Sequence, residues 1–382
     1  MILRGFSPID WLENHWVTPS YGGWLLIGLS LSFFGAATNT MAGWLYVLSG
    51  MIFALLGISA WLSVRSLQQI TLKRSPIAPV SAGEDLTLEM TLQNPSKSAK
   101  TLLQLWDVLP ASLGRPAGKA IEVIPSQGNY VWAYDVPTQQ RGIYHWQALQ
   151  LRSGTPFGLF WCRRQRFVSA KAVVYPQILP LTHCPIVDAI GAEDSPKMYS
   201  DRRYQAAQEG ITKTLRPYRY GDSTRLIHWR SSARFEEFKV RELEVVTGGQ
   251  DIVICLDSGQ PWDKDVFEQA VIAAASLYFY ALRCQLNVKL WTAGSGVHQG
   301  TRTVLEMLAA VQAEEPVQSN IPSKIPLLWL TNSAQRLTGL SSHSRWLYFA
   351  EQESSPNVKT LAAGLGITAD QPLAQQLQKP IR

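Results

Sequence analysis

Asp222, His228 and Ser231 fall within ten residues of one another. They are the elements of a nucleophilic triad, in which a carboxylate orients an imidazole that takes the proton of a hydroxyl. Triads are assembled in space from separated loops, and no nucleophile elbow surrounds Ser231, so chance proximity is the better account of the trio. The wider segment 210–242 says more. Eight Lys or Arg stand there against Asp222, Glu236, Glu237 and Glu242, with Tyr218, Tyr220 and Trp229 interleaved. A solvated surface rarely uses Trp, and a core rarely takes so many guanidinium groups. Such a stretch holds other groups in place, either from a partner or from the rest of the fold.

Two uses of these residues are compatible. In a structural use, Asp222 and Glu242 pair with Arg225, Arg234 or Arg241, and Trp229 packs beneath a guanidinium. Residues 220–223 then form a tight turn, with Asp222 capping a short helix over 224–229. In a binding use, exposed guanidiniums such as Arg225, Arg230 and Arg234 meet acidic groups of a protein partner, with Trp229 or a Tyr as anchor. Nucleic acid is the weaker reading, because no RNA- or DNA-binding motif accompanies the basic residues.

Tyr218, Gly221-Asp222, Arg225, Ile227, Trp229, Ser232-Ala233-Arg234 and Val240-Arg241-Glu242 resemble the signature of domain-of-unknown-function family fifty-eight, a bacterial family. Arg141-Gly142-Ile143-Tyr144 and the later Thr155-Pro156-Phe157-Gly158-Leu159-Phe160 are similar to the same family. The resemblance implies a MoxR-type AAA+ ATPase as partner, and it admits other A-type domain proteins as further partners. Tyr218, Asp222, Arg225, His228, Trp229, Arg230, Arg234, Arg241 and Glu242 are the candidate signature or protein-binding residues. The resemblance implies no settled chemistry.

Beyond the signature, residues 251–256 form a short apolar run ending in Asp257-Ser258-Gly259. A helix is predicted over 264–283, a strand over 287–291, a helix over 301–312, and strands over 326–330 and 345–349. Alternation of this kind argues for a doubly wound α/β sheet, with Asp257 at the carboxyl end of a strand where such sheets bind ligands. The resemblance implies a von Willebrand factor A-like domain here. That fold holds Mg²⁺ through Asp-x-Ser-x-Ser, with a Thr and an Asp from later loops. Asp257 matches the first position, but Gly259 and Pro261 replace the Ser residues, and Thr331-Asn332 offers no carboxylate. A hard cation wants clustered oxygens, so Asp257 is a degenerate metal position and no cofactor is expected. No P-loop appears, so the chain is not itself read as an ATPase.

These elements need positioning. Residues 21–37 and 41–64 carry no charge, and about 20 apolar residues span hydrocarbon, so two transmembrane helices in a tight hairpin are expected. Trp16, Tyr21, Trp24 and Trp61 fall at one end and Trp44 and Tyr46 at the other, as interfacial aromatics do. The connector has no Lys or Arg, whereas Arg4, Arg65, Lys73 and Arg74 flank the pair. The positive-inside rule then places the soluble part in the cytoplasm. Gly28, Gly35, Gly43, Gly50 and Gly57 are spaced for close helix approach. Packing of the two helices on one another is the simpler use, oligomerisation the other. A buried helical hairpin in a soluble domain is the alternative to the whole reading.

From 68 to about 180, alternating runs at 86–92 and 144–151 and strand-like runs at 101–108, 120–124, 129–136, 159–168 and 171–175 suggest an all-β immunoglobulin-like sandwich. His145 reads as a strand residue there. Residues 182–208 read as a long polar connection, 357–365 as a last helix, and 369–382 as a loose end. The net charge of +6 over 382 residues is too small to identify a partner. Four cysteines with no Cys-x-x-Cys pair match neither a disulfide scaffold nor a zinc knuckle, and favour a reducing compartment.

The domains expected are a membrane anchor (1–66), a β-sandwich (67–181), a linker with the basic signature (182–249) and an A-like α/β domain (250–382). The expected role is a non-enzymatic adaptor or scaffold of the inner membrane. The alternative is a metal-dependent hydrolase acting on a phosphate or peptide through Asp257 or Asp222 and His228.

Overall fold

The computed structural model describes residues 8–192, 211–218, 227–244, 251–318, 322, 325–341, 343–350, 363–368 and 370–381. The chain divides into two compact units, Met1–Gln177 and Ile178–Arg382.

In the first unit, helix α1 (Pro8–His15) and strand β1 (Thr18–Pro19) precede helices α2 (Tyr21–Thr40) and α3 (Gly43–Ser66). Ser20 starts α2 by accepting the Gly23 amide at 3.2 Å, which satisfies one of the orphan donors of a helix start. Met41, in the left-handed region at φ 50°, ends it. Both helices are long and apolar enough to cross a membrane, and only 17% and 22% of their apolar windows are buried. The core helix of a soluble domain would be mostly buried.

The buried residues of the two helices are Gly23, Ser30 and Ala37 at seven-residue spacing in α2, and Leu45, Ser49, Leu56, Ser59, Ser63 and Ser66 in α3. Between the helices Ser30 and Ser49 exchange hydroxyl-to-carbonyl hydrogen bonds of 3.1 and 3.0 Å. Gly28, Gly35, Gly43, Gly50 and Gly57 have nothing within 4 Å of an added Cβ. The glycine stripe therefore does not pack the hairpin together, contrary to the simpler expectation; a parallel stripe of small residues does that work.

Strands β2 (Thr71–Arg74), β3 (Val80–Ser81), β4 (Asp85–Gln93), β5 (Lys100–Asp107), β6 (Ala117–Ile124), β7 (Asn129–Pro137), β8 (Gly142–Ser153) and β9 (Phe160–Tyr175) follow. They form an antiparallel β2-β4-β7 sheet and a second sheet in the order β1-β9-β8-β5-β6, with β3 parallel to β9. Period-two patterning explains the faces: Leu86, Leu88, Met90 and Leu92 of β4 are buried and their neighbours are not. Met90, Leu92 and Trp132 from the first sheet share a core with Leu103, Leu105, Leu149 and Leu151 of the second. Runs expected as two strands, 159–168 and 171–175, are one long strand, and a register shift between Trp146 and Ala148 of β8 accommodates it.

One buried polar knot joins the sheets. The Asp107 carboxylate is paired with the Arg74 guanidinium, whose Nη2 lies 2.7 Å from Oδ1. It also accepts Tyr134 Oη–H at 2.7 Å and Trp146 Nε1–H at 3.0 Å. Arg74 lies over the Trp146 ring and donates Nε–H to the Val168 carbonyl at 3.2 Å. Every member has a partner, which is the condition for tolerating a buried ion pair.

The second unit opens with helix α4 (Pro185–Ala192). Its Ile186, Val187 and Ile190 join the main core of the unit, together with Leu181 and Cys184, so this stretch of the expected polar connection is instead a packed element. Strands β10 (Ile211–Pro217) and β11 (Lys239–Glu244) pair antiparallel around helix α5 (Trp229–Phe235). Then come β12 (Asp251–Leu256), α6 (Lys264–Arg283), β13 (Asn287–Thr292), β14 (Gly296–His298), α7 (Thr301–Ala310), β15 (Leu327–Thr331), β16 (Arg345–Ala350), β17 (Ala363–Thr368) and α8 (Leu373–Leu377).

The sheet order is β14-β13-β12-β15-β16-β17, parallel except for β14. Counted within the sheet this is 3-2-1-4-5-6, the strand order of doubly wound folds. But β14 is antiparallel, and the described helices α4, α6, α7 and α8 all join the core on one face. The expected double winding is therefore not seen among the described residues. Asp263 caps α6 by accepting the Asp265 amide at 3.1 Å, and the helix lays Ala270, Ala273, Ala274 and Ala281 on the sheet. On the opposite face, Trp291, Cys255, Trp329, Trp346 and Gly364 form one cross-strand row. Trp291 and Trp329 stack 5.6 Å apart. A Cβ on Gly364 would lie 2.1 Å from the Trp346 ring.

Strand β17 replaces part of the helix expected over 357–365; residues 357–362 lie outside the described residues. The end of the chain is not loose. Helix α8 buries Gln376 and Leu377, and Gln376 exchanges hydrogen bonds of 2.9 and 2.7 Å with the Thr368 backbone.

Candidate functional site

The signature is a β-hairpin with a helix of about two turns laid between its strands. The Tyr218 amide donates to the Phe238 carbonyl and the His228 amide to the Lys239 carbonyl, both at 2.8 Å. Ile227 forms a bridge to Val240, and both side chains are buried. His228 caps α5: its Nδ1 accepts the Ser231 amide at 3.1 Å, which leaves the ring proton on Nε2. The Ser232 hydroxyl donates to the His228 carbonyl at 3.1 Å and accepts the Lys239 amide at 2.9 Å, so it ties the helix to β11. Glu236, at φ 51°, ends the helix.

Having its backbone tied down in this way, α5 turns its large side chains outward. Trp229 is 63% exposed, and Phe235 and Phe238 are similarly open. Trp229 and Tyr218 each meet the Phe238 ring edge-on, at 6.1 and 6.3 Å. Trp229, Ser232, Ala233, Glu236, Glu237 and Phe238 line a shallow hollow of about 440 Å³. Arg230 and Arg234 are exposed on the same helix, and Glu237 pairs with Lys239 at 2.8 Å.

Tyr218, His228, Trp229, Arg230 and Arg234 are thus brought together. Arg241 and Glu242 sit on β11 opposite Leu215 and Thr214. Asp222 and Arg225 lie outside the described residues, as does the turn expected over 220–223. The described helix begins at Trp229 with His228 as cap, whereas the sequence reading placed a helix over 224–229 with Asp222 as cap. The trio of Asp222, His228 and Ser231 gains no support, since it is the Ser231 amide, not its hydroxyl, that meets the imidazole. Phe235 and Phe238 were missed; two Phe in an otherwise charged stretch were the available signal.

Asp257 belongs to a second cluster, at the point where the strand order reverses between β12 and β15. It is 3% exposed, and its Oδ2 accepts the Thr331 hydroxyl at 2.9 Å. Burial raises its pKa above the ordinary carboxylate value, and the Thr331 hydrogen bond and the Arg336 charge oppose that rise. Beside it, the Ser258 hydroxyl donates to Glu315 Oε2 at 2.8 Å and accepts the Ala293 amide at 3.0 Å. Glu315 also accepts the Gly294 amide at 3.3 Å and the Gln312 amide at 3.2 Å. The Glu315 amide reaches the Ser258 carbonyl at 3.1 Å and the Gln318 amide the Ala293 carbonyl at 2.9 Å. Residues 312–318 therefore lie across the ends of β12 and β13. The close approach needs glycine: a Cβ on Gly294 would stand 2.8 Å from Glu315 Oε2, and one on Gly259 3.1 Å from Val317.

These residues do not suit Mg²⁺. The Ser258 and Thr331 hydroxyls are committed to protein partners, Thr331 also accepting the Ser333 amide at 3.0 Å. No group of three His, Cys, Asp or Glu close enough to hold a metal occurs among the described residues.

Among solved structures, the chain is similar to β-glucosidase from Listeria innocua, with 18% identity over 28% of this chain and 16% of that one, at a TM-score of 0.18. It thus spans about a sixth of that protein's length. It is also similar to a CARDB domain from Pyrococcus furiosus determined with di-metal ions, with 9% identity over 28% of this chain and 87% of that one, at a TM-score of 0.20. Likenesses of this size carry no argument about this chain. No curated protein matches it. The model of the family described as "Protein of unknown function DUF58" matches residues 214–336. That span holds α5 and β11 of the signature hairpin, most of β10, strand β12 and the Asp257 cluster, and the match identifies it as a DUF58 domain.

Proposed function

We propose that this protein is a non-enzymatic, membrane-anchored adaptor that docks a MoxR-type AAA+ ATPase and its clients through the signature hairpin. The observation that carries the reading is the aromatic surface of α5. Trp229 and Phe238 are exposed at the rim of a hollow, and Phe235, Arg230 and Arg234 are exposed on the helix that carries Trp229. Exposed aromatic and Arg residues around a concavity are the usual anchors of a protein contact. The internal hydrogen bonds of His228 and Ser232 hold the anchors in advance, which lowers the entropy cost of binding. The ATPase as partner follows from the family resemblance.

In this reading α2 and α3 cross the inner membrane, and the positive-inside rule puts the two-sheet part of the first unit and the whole second unit in the cytoplasm. The two-sheet part of the first unit serves as an immunoglobulin-like spacer, and the six-stranded sheet of the second unit as part of an A-like interaction domain. The alternative, a metal-dependent hydrolase, would have to use Asp257 or His228, whose side chains are already engaged with Thr331 and the Ser231 amide.

The test is a crosslinked pull-down of the tagged full-length protein from its native membrane. An AAA+ ATPase should be recovered with the wild type and lost with Trp229→Ala or Arg234→Glu. Truncating an interface anchor costs about 2 kcal/mol or more, about thirtyfold in Kd. Recovery of no ATPase under conditions that keep other membrane complexes intact would overturn the reading.

A further inference from the structure

We infer that the tip of the two-sheet module, loop 154–159 between β8 and β9, inserts into the headgroup layer of the bilayer beside the hairpin. The inference rests on the reading that α2 and α3 span a membrane, and it adds a second, non-spanning contact with lipid.

Three observations carry it. First, the loop is built onto the base of the hairpin. The Ser63 hydroxyl, in the last turn of α3, has the Thr155 carbonyl as its nearest acceptor at 2.7 Å, with the Phe160 carbonyl at 3.3 Å. The Ser20 amide at the start of α2 donates to the Leu159 carbonyl at 2.8 Å. A Cβ on Gly23 would stand 2.2 Å from that same carbonyl oxygen, so α2 and the loop touch backbone to backbone. The level at which the helices leave the hydrocarbon is therefore also the level of this loop.

Second, the loop presents an apolar side chain to that level. Residues 154–160 contain no charged residue, and Phe157 is 61% exposed. Trp16, Tyr21, Trp24 and Trp61, all exposed, stand at the same end of the hairpin. Rings of this kind favour the headgroup zone, and Phe157 extends the belt from the helices onto the soluble module.

Third, the surrounding charge suits an anionic surface. Residues 136–177 carry Arg141, Arg152, Arg163, Arg164, Arg166 and Lys171 and no Asp or Glu. Near the loop the acid they meet is Glu13, buried between Arg152 and Arg163. Arg164 donates to the Asn14 and His15 carbonyls at 2.7 and 3.2 Å, and Arg166 to the Leu67 carbonyl at 3.4 Å. Cations thus gather where α1 and α3 end, the favourable position for both helix dipoles and for anionic lipid.

The experiment uses the full-length protein in nanodiscs with anionic phospholipid, carrying Cys284→Ser so that the remaining cysteines, all buried, do not label. A nitroxide is placed at Phe157→Cys, at Leu55→Cys in the middle of α3, or at Gln139→Cys. Gln139 is exposed at the far end of β8, about 36 Å from the tip at the usual rise of a strand. Collision rates with oxygen and with a water-soluble nickel chelate give the depth of each label. The expected order of the oxygen-to-nickel ratio is residue 55, then 157, then 139, with 157 clearly above 139. A ratio at 157 equal to that at 139, with 55 in hydrocarbon, overturns the inference and leaves the membrane anchor standing. A water-like ratio at 55 overturns both.

Discussion

Removing the Asp107 carboxylate should be the most damaging single change available in the first unit. Asp107→Ala leaves the Arg74 guanidinium, whose side chain is 5% exposed, with its charge unmatched between the two sheets. Breaking a buried ion pair from one side costs about 3–5 kcal/mol. The Tyr134 hydroxyl and the Trp146 indole lose their acceptor at the same time, and each orphaned donor adds about 1 kcal/mol or more. A total of roughly 5 kcal/mol is comparable with the whole stability of a typical domain. It corresponds to a fall in Tm of about 20 °C or more for a module of this size.

The assay is thermal unfolding of the full-length protein in micelles, followed by near-ultraviolet circular dichroism. It is run on wild type, Asp107→Ala, Arg74→Met and the double variant Asp107→Ala/Arg74→Met. The double variant should recover much of the loss, because it removes the stranded charge along with its partner. A coupling between the two positions of about 2 kcal/mol or more is expected. Asp107→Ala within about 1 kcal/mol of wild type, or a double variant as damaged as the sum of the singles, would refute the reasoning.

Other outcomes follow from the second unit and the thiols. Burial raises the Asp257 pKa, so the folded state holds its proton more tightly than the unfolded chain. Stability from this group is present at low pH and is lost as pH rises through the ordinary carboxylate value towards the raised folded one. Asp257→Asn should therefore gain Tm over wild type from acid to neutral pH, and a constant difference would count against burial as the cause. Gly364→Ala puts a methyl into the Trp346 ring. Overpacking of that kind costs about 1–3 kcal/mol, to be read as a fall in Tm with loss of the near-ultraviolet signal of the buried indoles. Burial pushes the Cys184 thiol up to about 12 and raises those of Cys162 and Cys255. Native protein should therefore titrate one thiol, that of the exposed Cys284, with an aromatic disulfide reagent at pH 8 and four after denaturation.

What could be read in the sequence depended on whether a local pattern had one solution. Alternation in β4 and β8, the uncharged runs of α2 and α3, and the Ala-rich face of α6 each fix an element without help from elsewhere. The helix seam was different: Gly28 and Gly35 share the seven-residue spacing of Gly23, Ser30 and Ala37, and only the Ser30–Ser49 hydrogen bonds tell which stripe faces the partner helix. Strand β17 is Ala-Gly-Leu-Gly-Ile-Thr, a weak strand former on its own. It exists because β16 offers an edge and Trp346 needs a neighbour without a side chain. In the candidate site, Trp229, Arg230 and Arg234 were visible by type. The capping role of His228 was not, because Ser, Thr, Asp and Asn are the usual caps. Asp222 drew that assignment instead.

The position of Glu315 changes how anything could ever reach the reversal point of the sheet. In an open crevice, a ligand arrives at a rate proportional to its concentration. Here the donor groups of Ser258 and Gly294 are already taken by a carboxylate of the same chain, present at an effective concentration no free solute matches. An incoming group must wait for 312–318 to leave. Its observed on-rate would then level off at the unimolecular opening rate of that segment, and the sheet would behave as a gate timed from within the chain.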